Sequence, residues 1–113
     1  MNYDLEVRTT EFSKRLIASC REITKTAYNQ NIIGQVLRSG TSIGANYREA
    51  NGCVSKKDFS NKIHICKKES KETMYWLELL GENEPDHKAA INKLSIESHE
   101  LTLIFSKIAY SSR

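Results

Sequence analysis

The feature that most limits what this chain can fold into is a line of seven residues: Phe59, Ile63, Cys66, Ser70, Thr73, Leu77 and Leu80. They keep an unbroken alternation of four and three, the period of a helix that lays one narrow seam against its neighbours. A second line, His87, Ile91, Leu94, Ser98, Leu101, Phe105 and Ile108, repeats the pattern. Ile33, Val36, Gly40, Ile43, Tyr47, Ala50 and Val54 form a third, and Leu5, Thr9, Phe12, Leu16, Cys20 and Ile23 a fourth. No stretch alternates with period two over a strand's length, which argues against a sheet. The sequence therefore predicts an all-α fold, a single domain over residues 1–113 built as an antiparallel up-down-up-down four-helix bundle. The seams of the third and fourth helices interlock with the face of the second.

Punctuation between the lines agrees with this plan. Ala27 to Asn31 offers a turn and an asparagine N-cap, and Asn51-Gly52 a C-terminal stop. Ser55, followed three residues later by Asp58, resembles a capping box. Gly81 is expected to end the third helix, and Pro85 suits the first turn of the fourth. Two glycines, Gly40 and Gly44, lie in or beside the seam of the second helix. A glycine inside a helix costs about 1 kcal/mol relative to alanine, so a close neighbour is expected there. On the polar side of that helix Arg38 and Glu49 are three turns apart, too far to pair with each other. Each is expected to bond to an adjacent helix or a neighbouring chain.

Composition narrows the function. With 39% hydrophobic and 27% charged residues in 113, the chain is neither disordered nor membrane-spanning. Its first residues, Met1 to Glu6, lack a basic region followed by an apolar core, so a cytoplasmic location is expected. Cys20, Cys53 and Cys66 are an odd set without C-x-x-C spacing and read as reduced thiols. Glu84-Pro85-Asp86-His87 has E-x-x-H spacing, but a bundle di-iron site needs a second such pair, which is missing. Gly40 to Gly44 lacks the lysine ending of a phosphate loop. Cys66 and His64 point to different sides of one helix and make a poor nucleophile pair. No catalytic residue, metal ligand or cofactor is expected, and the chain reads as non-enzymatic.

A net charge of +3 hides a segregation. From Lys56 to Lys71 the balance is +4, and from Glu72 to Glu100 it is −5. On the third helix Lys56, Lys57, His64, Lys67, Lys68, Lys71 and Tyr75 occupy one flank. That flank reads either as a groove for a polyanion, RNA or DNA, or as a solvated helix face. Arg8, Lys14 and Arg15 of the first helix are the next candidates. Opposite the core line of the last helix stand Ala89, Ile96, Leu103 and Tyr110, and Ile65 and Trp76 lie off the seam of the third. Ile65, Trp76, Ile96, Leu103 and Tyr110 are the expected contacts of a homo-oligomer.

Three stretches carry a resemblance. They are Leu37-Arg38-Ser39-Gly40-Thr41-Ser42-Ile43-Gly44-Ala45-Asn46-Tyr47-Arg48-Glu49-Ala50, Ser55-Lys56-Lys57-Asp58-Phe59, and Lys68-Glu69 with Glu72-Thr73-Met74-Tyr75-Trp76-Leu77-Glu78-Leu79-Leu80. From about Phe12 to Ile108 the chain resembles the bacterial four-helix bundle proteins encoded in intervening sequences of large-subunit ribosomal RNA genes. It is also similar to the accessory variability determinant of diversity-generating retroelements. The resemblance implies a homo-oligomeric ring, commonly a pentamer, with a basic surface. In a retroelement setting it implies two partners, nucleic acid and a reverse transcriptase, with the chain as a non-enzymatic accessory.

Overall fold

The computed structural model describes residues 2–111. Helix α1 spans Asn2–Arg21, α2 Gln30–Asn51, α3 Lys56–Asn83 and α4 Lys88–Ser111, and a 3-10 turn, Pro85–His87, precedes α4. The 28 residues of α3 rise about 1.5 Å each, which matches the 44 Å long axis of a body 20 Å across. Helices adjacent in sequence pack side by side, and a thinner contact between α1 and α4 closes the four-helix bundle. Across its centre the rings of Tyr47 on α2 and Phe105 on α4 meet at 5.8 Å.

The four lines form the core. Leu5, Phe12, Leu16, Ile33, Val36, Ile43, Ile63, Cys66, Leu77, Leu80, Ile91, Leu94 and Leu101 are all buried in one cluster. Drift appears at the ends, because a helix of 3.6 residues per turn slips about 20° per heptad against a strict four-three line. Thus Ala109 takes the last buried place on α4 while Ile108 is only half-buried, and Phe59 is half-buried at the start of α3. Ser70, Thr73 and Ser98 sit at buried seam positions without a hydrogen-bonding deficit. Thr73 donates to Ser39 Oγ (2.9 Å), and Ser98 donates to the Ser70 carbonyl (2.8 Å). Such small hydroxyls let the helices approach closely while remaining bonded.

The glycines of α2 are explained by α1. A Cβ added at Gly40 would overlap Leu16 Cδ2, and one at Gly44 would come within 3.2 Å of Thr9 Oγ1. Three expectations at helix ends need correction. Val54 does not extend the α2 seam: the helix stops at Asn51 and Val54 stands fully exposed in the connection. Ile23 is buried but lies past the end of α1, folded under by the turn that follows Arg21. Gly81 does not end α3, which runs on to Asn83. It lies where a Cβ would come within 3.4 Å of Ile91 Cγ2, so its smallness serves packing against α4. Pro85 is what stops α3, since a proline drives the residue before it out of the helical region, and Glu84 has left it at φ −127°, ψ 73°.

At the caps the reading holds at Ser55, while the expected asparagine cap of α2 is not made. Ser55 Oγ accepts from the Asp58 N–H at 3.0 Å. Asn29 precedes α2 but leaves the helix uncapped by its side chain. Instead its amide donates to the Thr24 carbonyl and to Glu84 Oε2, at 3.0 and 2.9 Å, tying the α1–α2 turn to the α3–α4 turn.

Candidate nucleic-acid interface

Helix α3 is long enough to face α2 on one flank and open water on another, and its charges divide accordingly. On the α2 side every cation is engaged. Lys62 donates to Glu49 of α2 at 2.5 Å. Arg38 of α2 donates to Glu69 at 3.4 Å, to Glu72, and through Nε to Gln35 at 3.1 Å. Arg38 and Glu49 thus both reach an adjacent helix, and it is the same one. The cluster extends outward, since the Trp76 indole N–H donates to Glu72 at 3.1 Å. That hydrogen bond, followed by the Arg38 guanidinium, holds the Glu72 carboxyl below the usual carboxylate range.

The other flank is different. His64, Lys67, Lys68 and Lys71 line one shallow depression. Lys67 is half-buried and the rest are exposed, as are Lys56 and Lys57 in the first turn. Among the described residues none of these five lysines has a carboxylate within ion-pairing distance. Tyr75 closes the row, 55% exposed, its ring edge-on to Trp76 at 5.0 Å. Five like charges on one helix repel one another, and a bound polyanion would relieve that repulsion.

The three candidate cations of α1, Arg8, Lys14 and Arg15, do not join them. Arg8 donates two bonds to Glu97 of α4, at 2.7 and 2.8 Å, and one to Glu100 at 2.7 Å. These carboxylates drive its pKa upward. Its charge is spent on closing the α1–α4 contact, so Arg8 is withdrawn from the candidate surface. Lys14 lies 3.7 Å from Glu11, and Arg15 is exposed without a carboxylate partner.

The apolar residues expected at an oligomer contact fall in two places. Ile96, Leu103 and Tyr110 stand on the outer side of α4, with Leu103 56% exposed. Ile65 and Trp76 of α3 are half-buried, and Trp76 packs against the core beside the Arg38 cluster.

Neither buried cysteine is arranged as a nucleophile. The Cys66 thiol is buried, donates to the Ile43 carbonyl at 3.6 Å, and is pushed up to about 12 by burial. Cys20 is raised by burial as well. A protonated, enclosed thiol is unreactive. Among the described residues no group of three or more His, Cys, Asp or Glu is placed to hold a metal ion, and no helix is long and apolar enough to cross a membrane. The partners that sequence reasoning missed are Glu69, Glu72, Glu97 and Glu100. Their only sequence signal was an acid at the edge of a seam, which names no partner.

The fold has counterparts among known proteins. The model of the family described as 23S rRNA-intervening sequence protein matches residues 3–107. The chain belongs to this family. It is also similar to a solved structure, at 1.70 Å resolution, of a protein with unknown function from the S23 ribosomal protein family of Bacteroides thetaiotaomicron. The two share 35% sequence identity, with a TM-score of 0.81, over 92% of this chain and 96% of that one. Comparison with curated proteins gives no match. The match to the intervening sequence protein family takes in α1, α2 and α3 almost whole and most of α4, so it covers both flanks of α3.

Proposed function

We propose that this intervening sequence protein is a non-enzymatic accessory factor that binds the phosphate backbone of RNA or DNA through the outer flank of α3. One observation carries the reading: Lys56, Lys57, Lys67, Lys68 and Lys71 stand in a row without carboxylate partners, in a chain whose inter-helix cations are otherwise paired. The family's description names a nucleic-acid context, which favours it. Copies joined through the outer line of α4, five in the ring that the resemblance implies, would multiply a weak single-site attraction. In a retroelement setting a reverse transcriptase would be the protein partner. The exposed Ile96 and Leu103 also favour a second reading, a structural oligomer that binds other proteins and no nucleic acid.

Binding measured against salt separates the two. Phosphate contacts release counterions, so affinity for a long RNA or DNA should fall steeply as salt rises. Replacing Lys67, Lys68 and Lys71 with glutamine should weaken binding for all sequences alike and lower the slope by about 2–3, at roughly 0.7–0.9 for each phosphate no longer neutralised. No retention of long nucleic acid at low salt would leave the structural oligomer. An unchanged slope in the triple variant would move the binding surface to Lys14 and Arg15.

A further inference from the structure

The outer flank of α3 has a definite end. Lys57, His64, Lys68, Lys71 and Tyr75 follow one another at spacings of seven, four, three and four, so they share one line along the helix. The same line continues through Glu78 and Glu82, where its sign reverses. A phosphate backbone attracted along the lysines is therefore repelled one turn beyond Tyr75, and must leave the helix there. What it meets at that point is an exposed aromatic ring.

Tyr75 is also held in place. Its ring rests edge-on against Trp76 at 5.0 Å, at an interplanar angle of 69°. Trp76 is half-buried against the core and bonded through its N–H to Glu72, which in turn takes Arg38. A chain of contacts from α2 thus fixes the base of an aromatic whose outer face is open. We infer that Tyr75 is a base-stacking platform and that the nucleic acid taken by this flank is single-stranded. This inference rests on the nucleic-acid reading proposed above and specifies its ligand. A duplex keeps its bases stacked on each other and offers an exposed ring nothing to stack on. An unpaired strand offers a face with every base, and stacking is tolerant of sequence in the same way as lysine–phosphate contact. From Lys57 to Tyr75 the helix axis advances about 27 Å, room for several nucleotides of a single strand.

The chain has a single tryptophan, Trp76, and it touches the proposed platform, so its emission reports occupancy directly. The full-length protein is titrated at low salt with a long oligothymidylate and with a duplex of equal length. Wild type should bind the single strand more tightly, with a change in Trp76 emission that the duplex does not produce. Tyr75→Ala should lose roughly tenfold in single-strand affinity, in line with the loss of one stacked base. Its duplex affinity and its salt slope should stay unchanged. Tyr75→Phe should retain wild-type binding, because the ring and not the hydroxyl does the stacking. The stacking role is overturned if Tyr75→Ala binds the single strand like wild type, if it weakens both ligands equally, or if Tyr75→Phe fails as alanine does. In each of those cases the lysine surface would survive, read by the triple glutamine variant. Wild type that retains neither ligand at low salt would bring down the nucleic-acid reading and this inference together.

Discussion

The inner seams of this bundle and the outer face formed by α3 and α4 follow opposite rules. In the seams and along the α2–α3 edge the polar groups have partners: Arg38 has Glu69 and Glu72, Lys62 has Glu49, Thr73 has Ser39, and Ser98 has the Ser70 carbonyl. Among the described residues no buried side-chain nitrogen or oxygen lacks a hydrogen bond. Outside, among the described residues, Lys57, Lys67, Lys68 and Lys71 have no carboxylate within ion-pairing distance, and Ile96 and Leu103 are exposed. The inner groups are explained by the fold of one protomer. The outer ones are not, and a chain that satisfies its interior so fully leaves its open face as the place to look for partners.

The largest test falls on the outer apolar line. Leu103→Glu should abolish assembly, because it sets a charge into a contact that the proposed oligomer desolvates. The protomer itself should stay folded, since Leu103 lies off the core. Sedimentation of both proteins checks this, and a wild-type chain that sediments as a monomer at high concentration would remove the oligomer from the proposal. The matching test of the inner region is Gly40→Leu. The gain in helix propensity, about 1 kcal/mol, is outweighed by overlap with the fully buried Leu16. A net loss of about 1–3 kcal/mol is expected from overpacking. Chemical denaturation measures it, and a variant more stable than wild type would show that the α1–α2 approach is looser than the geometry indicates.

A smaller effect distinguishes the two kinds of cation. Arg38→Ala leaves Glu69, only 8% exposed, without its guanidinium, and should cost about 1–3 kcal/mol for a buried acceptor left short of a partner. The triple glutamine variant of Lys67, Lys68 and Lys71 should stay within about 0.5 kcal/mol of wild type, as surface changes do. Stability and binding should therefore respond in opposite order to the two variants. Equal losses of stability would mean that the outer lysines also hold the fold.

Much of this was legible in advance, and the reason is periodicity. Burial repeats with the helix, so a line such as Ile63, Cys66, Ser70, Thr73, Leu77 can be read without knowing what it packs against. Gly40 and Gly44 were legible for a related reason, because an unfavourable residue inside a helix signals a close neighbour. Ends were less legible. Gly81 and Val54 were misplaced because a stop depends on local backbone competition, and at α3 Pro85 won over the glycine. Least legible were the ion pairs. Arg8 read as a free cation, yet its acceptor, Glu97, stands 89 residues away. Which acid faces which base is decided by helix crossing and rotation, and composition holds no record of either.

One carboxylate belongs to both regions, and it gives the finest test. Glu72 accepts from Trp76 and Arg38 on the inner side, and Lys68 on the outer flank also favours its ionised form. All three lower its pKa in the folded state relative to the unfolded chain. A group with a depressed folded pKa stabilises the fold at neutral pH. That contribution is complete above the ordinary carboxylate value of about 4.3, and it is lost as pH falls through the lowered folded value. The Glu72 side chain is 30% exposed, so solvent screens the effect and it should be modest. Glu72→Gln keeps an acceptor for Trp76 and removes the charge, so its melting temperature should fall less steeply than that of wild type between about pH 5 and pH 3. Lys68→Gln should leave the acid limb in place but shift it slightly toward higher pH, because one of the three influences that lower the Glu72 pKa is gone. Melting curves that run parallel for Glu72→Gln and wild type would mean that Glu72 is not linked to stability. A shift with Lys68→Gln as large as that with Arg38→Ala would erase the line drawn between the inner cluster and the outer flank.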